Sequence, residues 1–122
     1  MGETIAKIKV LNLTGNGGLE IEALVDTGAT YTMLPQDALL PLGIRDEKEV
    51  TLELADGRVV KRPLADVLVE LEGERRANPI ILGREGDAKV IGLLTLVACG
   101  LTVDPIHHKL VPLVKIHHYP IC

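Results

Sequence analysis

Between Leu19 and Val25 apolar residues recur at every second position, and the run ends on Asp26-Thr27-Gly28-Ala29. Leu19, Ile21, Ala23 and Val25 share a face, the pattern of a half-buried β-strand. A carboxylate at the end of such a strand is costly unless it is hydrogen-bonded or has chemistry to do. Gly28 lets the backbone turn sharply and bring its N–H toward that carboxylate. Thr27 is β-branched and carries a hydroxyl, so it holds extended backbone and still bonds a neighbour. The stretch predicts a rigid turn that presents Asp26 to a cleft.

The rest of the chain repeats the period of two. Residues 5–13 read as a strand with Lys7 and Lys9 on one face and Ile8 and Val10 toward the core. Asn12, Gly15, Asn16, Gly17 and Gly18 mark the turn of a first hairpin, whose second strand delivers Asp26. Residues 31–34 read as a short strand, and 35–40 as one helical turn that starts near Pro35 and is ended by Pro41 and Gly43. Val50, Leu52 and Leu54 alternate with Thr51 and Glu53, and Ala55-Asp56-Gly57-Arg58 follows as a hairpin turn. Residues 59–71 continue as extended chain interrupted by Pro63, and 78–82 return as a strand. After the charged loop 83–87, Val90-Ile91-Gly92 leads into a short apolar helix over 93–98, closed by Gly100. Residues 101–105 and 109–116 read as final strands. The fold class is all-β: a small closed barrel with one short C-terminal helix, a single domain over residues 1–122.

Composition narrows the function classes. A chain of 122 residues holds one core. With two Tyr and no Phe or Trp, that core is built from Leu, Ile and Val, and base-stacking platforms are missing. A net charge of −4 argues against a phosphate-tracking surface, so no nucleic-acid partner is expected. The uncharged run 90–103 falls short of the roughly 20 residues that span a bilayer, and no membrane partner is expected. The chain opens on Met1-Gly2-Glu3-Thr4 without the composition of a secretory signal, which suggests an independently translated, cytoplasmic protein. Gly2 invites myristoylation, but Ala6 stands where Ser or Thr is needed. Cys99 in its apolar run reads as a small buried hydrophobe, and Cys122 is the last residue; the two do not make a disulfide framework.

Asp26-Thr27-Gly28-Ala29, preceded by Leu24-Val25 and followed by Leu34, resembles the active-site motif of the retropepsin-like aspartic proteases. Val90-Ile91-Gly92-Leu93-Leu94 resembles the family's second hallmark, an apolar pair and Gly opening a short helix. The two occur in the family's order with a flap-like segment between them, and the resemblance runs roughly over residues 8–111. It implies an aspartic endopeptidase with Asp26, Thr27 and Gly28 as catalytic residues and no metal or other cofactor. It also implies substrate contacts from Ala29, Thr30, Ala55, Asp56, Gly57 and Ile91, the flap around Ala55 to Arg58 closing over an extended peptide. Two carboxylates held a few ångströms apart share one proton, since two negative charges that close do not both persist. This chain has one Asp-Thr-Gly, so the resemblance implies a symmetric homodimer to which each subunit contributes Asp26. Thr27 would bond across the two-fold axis and Gly28 would align the carboxylate; the terminal strands, residues 5–11 and 109–116, would add to the dimer. Retroviral members usually carry an acidic residue where Thr30 stands and an Arg where Leu93 stands. Both charges are replaced together here, as in cellular and prokaryotic relatives.

Other readings compete. Asp26 in a turn can merely cap backbone N–H groups, and the Ala55–Arg58 hairpin can be a plain surface turn. The same barrel and dimer would also serve a non-catalytic peptide-binding or assembly module. The phosphorylated Asp of ion-pumping ATPases is set aside, because Thr27 follows Asp26 directly and the chain is far too short. His107-His108 and His117-His118 could join strands through a metal, but adjacent strand residues face opposite ways, which favours surface or interface histidines.

Overall fold

The computed structural model describes residues 2–46 and 48–113. Strand β1 (Ile5–Leu11) pairs antiparallel with β2 (Gly17–Val25), Ile8 facing Ile21 and Lys9 facing Glu20. Asn12 closes the turn between them, its Oδ1 accepting the N–H groups of Thr14 and Asn16 at 3.1 and 3.0 Å. Strand β3 (Thr32–Pro35) follows the Asp26 loop and runs into helix α1 (Gln36–Leu39), one turn continued by a 3-10 turn at Leu40–Leu42. Strands β4 (Lys48–Glu53) and β5 (Val59–Leu71) form the second hairpin, and β6 (Glu74–Gly83) folds back on β5. Strand β7 (Val90–Ile91), helix α2 (Leu93–Ala98), β8 (Leu101–Asp104) and β9 (Lys109–Pro112) complete the described chain.

Seven strands make one sheet in the order β1-β2-β7-β3-β6-β5-β4, and it curls until β1 also pairs with β5. Inside the curl sit Ile8, Val10, Ile21, Ala23, Val25, Leu34, and the alternating Ala65, Val67, Val69 and Leu71 of β5. Leu96 and Cys99 of the α2 region close one side. The all-β class with a short helix before the last strands holds. The single closed barrel does not hold as expected: among the described residues β8 and β9 pair only with each other as a separate ribbon, and β4 pairs only with β5. A two-residue β7 is too short to bring the following chain into the large sheet, and the turn at Gly100 (φ 67°) sends it away. Pro63 interrupts nothing, because it lies beside β4 (opposite Glu49) just before β5 meets β6 at Leu64.

Burial of Cys99 pushes its thiol up, which keeps it a protonated apolar side chain. No helix among the described residues is long and apolar enough to cross a membrane. The expected strand over 109–116 is present through Pro112; its remainder, with His117, His118 and Cys122, lies outside the described residues.

Candidate active site

Strand β2 ends on buried Val25, and the next side chain, Asp26, is exposed. The main chain at this point is gripped from both sides. Val25 N–H donates to Thr4 O at 2.8 Å, Leu24 N–H to Lys89 O at 3.0 Å, and Asp26 N–H to Ile91 O at 3.0 Å. The Asp26 carboxylate accepts the Gly28 N–H at 2.9 Å, and Ala29 N–H closes the turn onto Asp26 O at 3.1 Å. A Cβ at Gly28 would lie 3.2 Å from Asp26 Oδ1, so close approach is what favours glycine there. Thr27 stands exposed on the turn, with Thr30 also exposed and Ala29 half-buried.

The loop is strapped onto the start of α2. Leu93 and Leu94 donate their N–H groups to Ala29 O and Thr30 O at 2.8 and 3.0 Å, using amides that a helix start leaves without partners. Gly92 passes beneath: a Cβ there would meet the carbonyl carbon and oxygen of Tyr31 at 2.4 Å and Ala29 O at 2.9 Å. Its N–H donates to Thr32 Oγ1 at 3.0 Å. Thr32 and Thr95 Oγ1 atoms lie 2.6 Å apart, and Thr95 Oγ1 donates to Asn78 Oδ1 at 2.8 Å. Thr95 has only one hydroxyl proton, so Thr32 is the donor between them. The relay is buried from end to end and no side-chain polar atom in it lacks a partner. Thr95→Val keeps the shape but strips Thr32 of its acceptor and Asn78 of its donor. It should cost about 1–3 kcal/mol for each group left unpaired, read as a lower urea midpoint at unchanged slope. A loss below about 0.5 kcal/mol would show that the relay does not hold this corner together.

The hairpin tip stands on its own. Leu54 N–H reaches Arg58 O at 2.8 Å, Gly57 N–H reaches Leu54 O at 2.9 Å, and Gly57 takes φ 88°. Asp56 accepts the Arg58 N–H and pairs with its guanidinium, and these bonds hold the Asp56 carboxyl below its ordinary range. Among the described residues no hydrogen bond joins this tip to the Asp26 loop. The chain thus brings Asp26, Thr27, Gly28, Ala29, Thr30 and Ile91 together and sets Ala55, Asp56 and Gly57 apart on the other hairpin. Ile91, expected among the substrate contacts, is fully buried and reaches the site through its carbonyl.

One ion pair is withdrawn from solvent. Arg62 of β5 donates from Nε and Nη2 to both oxygens of Asp87, at 2.7 and 3.1 Å, with side chains only 10% and 11% exposed. The Arg62 guanidinium holds the Asp87 carboxyl below its ordinary range, against the opposing effect of burial. Stabilisation from a carboxylate lowered on folding is complete above its unfolded value, near 4, and is lost as pH falls through the lowered one. The pair therefore persists into acid. At the tip of the β8–β9 ribbon, His107 Nδ1 lies 2.7 Å from Asp104 Oδ2. No group of three or more His, Cys, Asp or Glu placed to hold a metal occurs among the described residues.

The relay and the Arg62–Asp87 pair were not read from the sequence. Their only signal is a polar residue beside apolar neighbours in a strand or helix, on β5 one (Arg62) whose parity sets it on the face opposite Ala65, Val67 and Val69, with no hint of its partner. The family described as aspartyl protease matches residues 11–96, a span that takes in the Asp26 loop, the β4–β5 hairpin, Asp87 and Gly92. No curated protein matches the chain significantly.

Proposed function

The chain belongs to the retropepsin-like aspartyl protease family, and on that premise we propose that it hydrolyses peptide bonds as a symmetric homodimer, with one Asp26 from each subunit. The observation that carries this reading is the Asp26 turn itself. It holds an exposed carboxylate on a main chain fixed by bonds from three neighbouring segments, oriented by the Gly28 N–H. Such rigidity is what electrostatic and proton-transfer catalysis requires of a carboxylate.

Paired across the two-fold axis, the two carboxylates hold one proton between them. The ionised one takes a proton from water as that water attacks the scissile carbonyl carbon, and the protonated one gives its proton to the carbonyl oxygen. Collapse of the tetrahedral species breaks the C–N bond, with a proton passing to the leaving amine. Thr27 braces the paired loops and Gly28 aligns the carboxylate. Ala29 and Thr30 line the floor of the cleft, and Ala55, Asp56 and Gly57 cover an extended peptide as a flap, their main chain adding strand-like bonds. Ile91 supports the floor from below. No cofactor enters any step.

Cleavage of an unfolded protein substrate from acid to neutral pH tests the proposal, with a statine-type inhibitor in parallel. Because each half-site is inert alone, activity per subunit should fall on dilution once subunits separate, in step with the dimer fraction seen by sedimentation. Inhibition by the statine together with that fall supports the reading. Activity independent of concentration in a monomeric protein rejects the shared dyad. A folded dimer that cleaves at no pH points instead to a peptide-binding module.

A further inference from the structure

The flap hairpin needs a root, and the structure shows where it is. Strand β5 has β6 as a neighbour only from Leu64 onward, while its pairing with β4 runs from Val59 to Leu64. Arg62, opposite Val50, therefore stands where the hairpin leaves the sheet. Its third hydrogen bond runs from Nη1 to Lys61 O at 2.9 Å, so the guanidinium is bonded along its whole edge. Asp87 is equally fixed. Its Oδ2 accepts the Arg84 N–H at 2.7 Å while its own N–H donates to Arg84 O at 3.0 Å, so the carboxylate locks the turn that carries it. That turn leads into β7, whose Ile91 carbonyl holds the Asp26 N–H. One side chain pair thus ties the base of the cover to the segment that supports the catalytic loop.

The four other ion pairs among the described residues each have at least one side chain 47% or more exposed, the kind that contributes little. A buried ion pair adds no stability that packed aliphatics such as the adjacent Leu64 would not supply. What a two-pronged pair adds is a fixed relative placement of the two elements it joins. We propose that the Arg62–Asp87 pair is a root clamp that sets the position of the flap over the cleft, both being positioning residues for the peptidase reaction. This rests on the protease reading of the site.

Arg62→Met, Asp87→Asn and Arg62→Lys, followed by hydrogen exchange and by cleavage kinetics, test it. In Arg62→Met and Asp87→Asn, amide exchange over residues 54–61 should quicken about tenfold while the β1–β2 hairpin stays at the wild-type rate. KM should rise about five- to tenfold with kcat held within about twofold, because the loss falls on holding the peptide and not on the dyad. Arg62→Lys keeps the charge and loses one prong, so it should fall between, and it decides the matter if Arg62→Met does not fold. Exchange that quickens equally in β1–β2, or a KM that does not move in an active enzyme, overturns the clamp. If the wild-type protein cleaves nothing, the protease reading fails by itself, and the exchange pattern still decides whether Arg62 and Asp87 restrain the hairpin.

Discussion

Asp26→Asn is expected to lower cleavage of an unfolded protein by at least about 10³-fold while moving the thermal midpoint by no more than about 3 °C. The two effects separate because the proposed dyad gives the carboxylate a second job. As an acceptor it receives the Gly28 N–H, and an amide oxygen in the same place does that equally well. As an acid–base group in the proposed dyad it would move protons, which an amide cannot do. In the proposed homodimer one substitution would remove both partners of the dyad, so no half-active enzyme would remain. Calorimetry beside a cleavage assay reads both halves of the prediction. An Asp26→Asn protein that cleaves at close to the wild-type rate would put the chemistry elsewhere. One that fails to fold would make Asp26 a structural turn residue and leave Asp26→Ser to test catalysis.

The largest loss of stability is expected at Gly92. Its φ of −93° and ψ of 176° suit any residue, so conformational freedom does not require glycine there. Space does. A Cβ would fall 2.4 Å from main-chain atoms of Tyr31 and 2.9 Å from Ala29 O, and neither can move without pulling the Asp26 loop off α2. Gly92→Ala should therefore cost about 4 kcal/mol or more, a large part of the roughly 5–15 kcal/mol that holds a domain together. Gly57→Ala is the control: φ 88° strains an alanine, but nothing lies within 4 Å of its Cβ, so the cost should stay near about 1 kcal/mol. Urea unfolding of both variants reads the difference. Equal costs would mean that the strap yields, and that the loop is not as fixed as its hydrogen bonds imply.

Much of this was legible in the sequence wherever one face of a strand is buried and the other wet. The alternation that ends at Val25 became β2, and Leu93–Ala98 became α2 with Gly100 just beyond it. Legibility failed where both faces are exposed. Glu74, Arg75, Arg76 and Ala77 extend β6 by four residues, yet all are exposed and the turn at Glu72-Gly73 hid them. Lys48 and Glu49 start β4 early for the same reason. The detached β8–β9 ribbon was missed because alternation marks a strand and says nothing of which strand it joins. At the site, the Asp26–Gly28 contact was readable because donor and acceptor are two residues apart. Thr32 and Thr95 are separated by 63 residues, and Arg62 and Asp87 by 25, distances across which a lone sequence carries no pairing signal.

A core without aromatic side chains among the described residues has an optical consequence. Tryptophan and phenylalanine are missing altogether, so the packed interior contributes almost nothing to near-ultraviolet absorption or circular dichroism. Of the two tyrosines, only Tyr31 lies among the described residues. It is half-buried in the segment whose carbonyl presses on Gly92, one residue past the strap between Thr30 and Leu94. The phenol is a chromophore already installed next to the Asp26 turn in the chain. With Tyr119 replaced, its dichroic band reports the order of that turn against a nearly silent background, without any label being added.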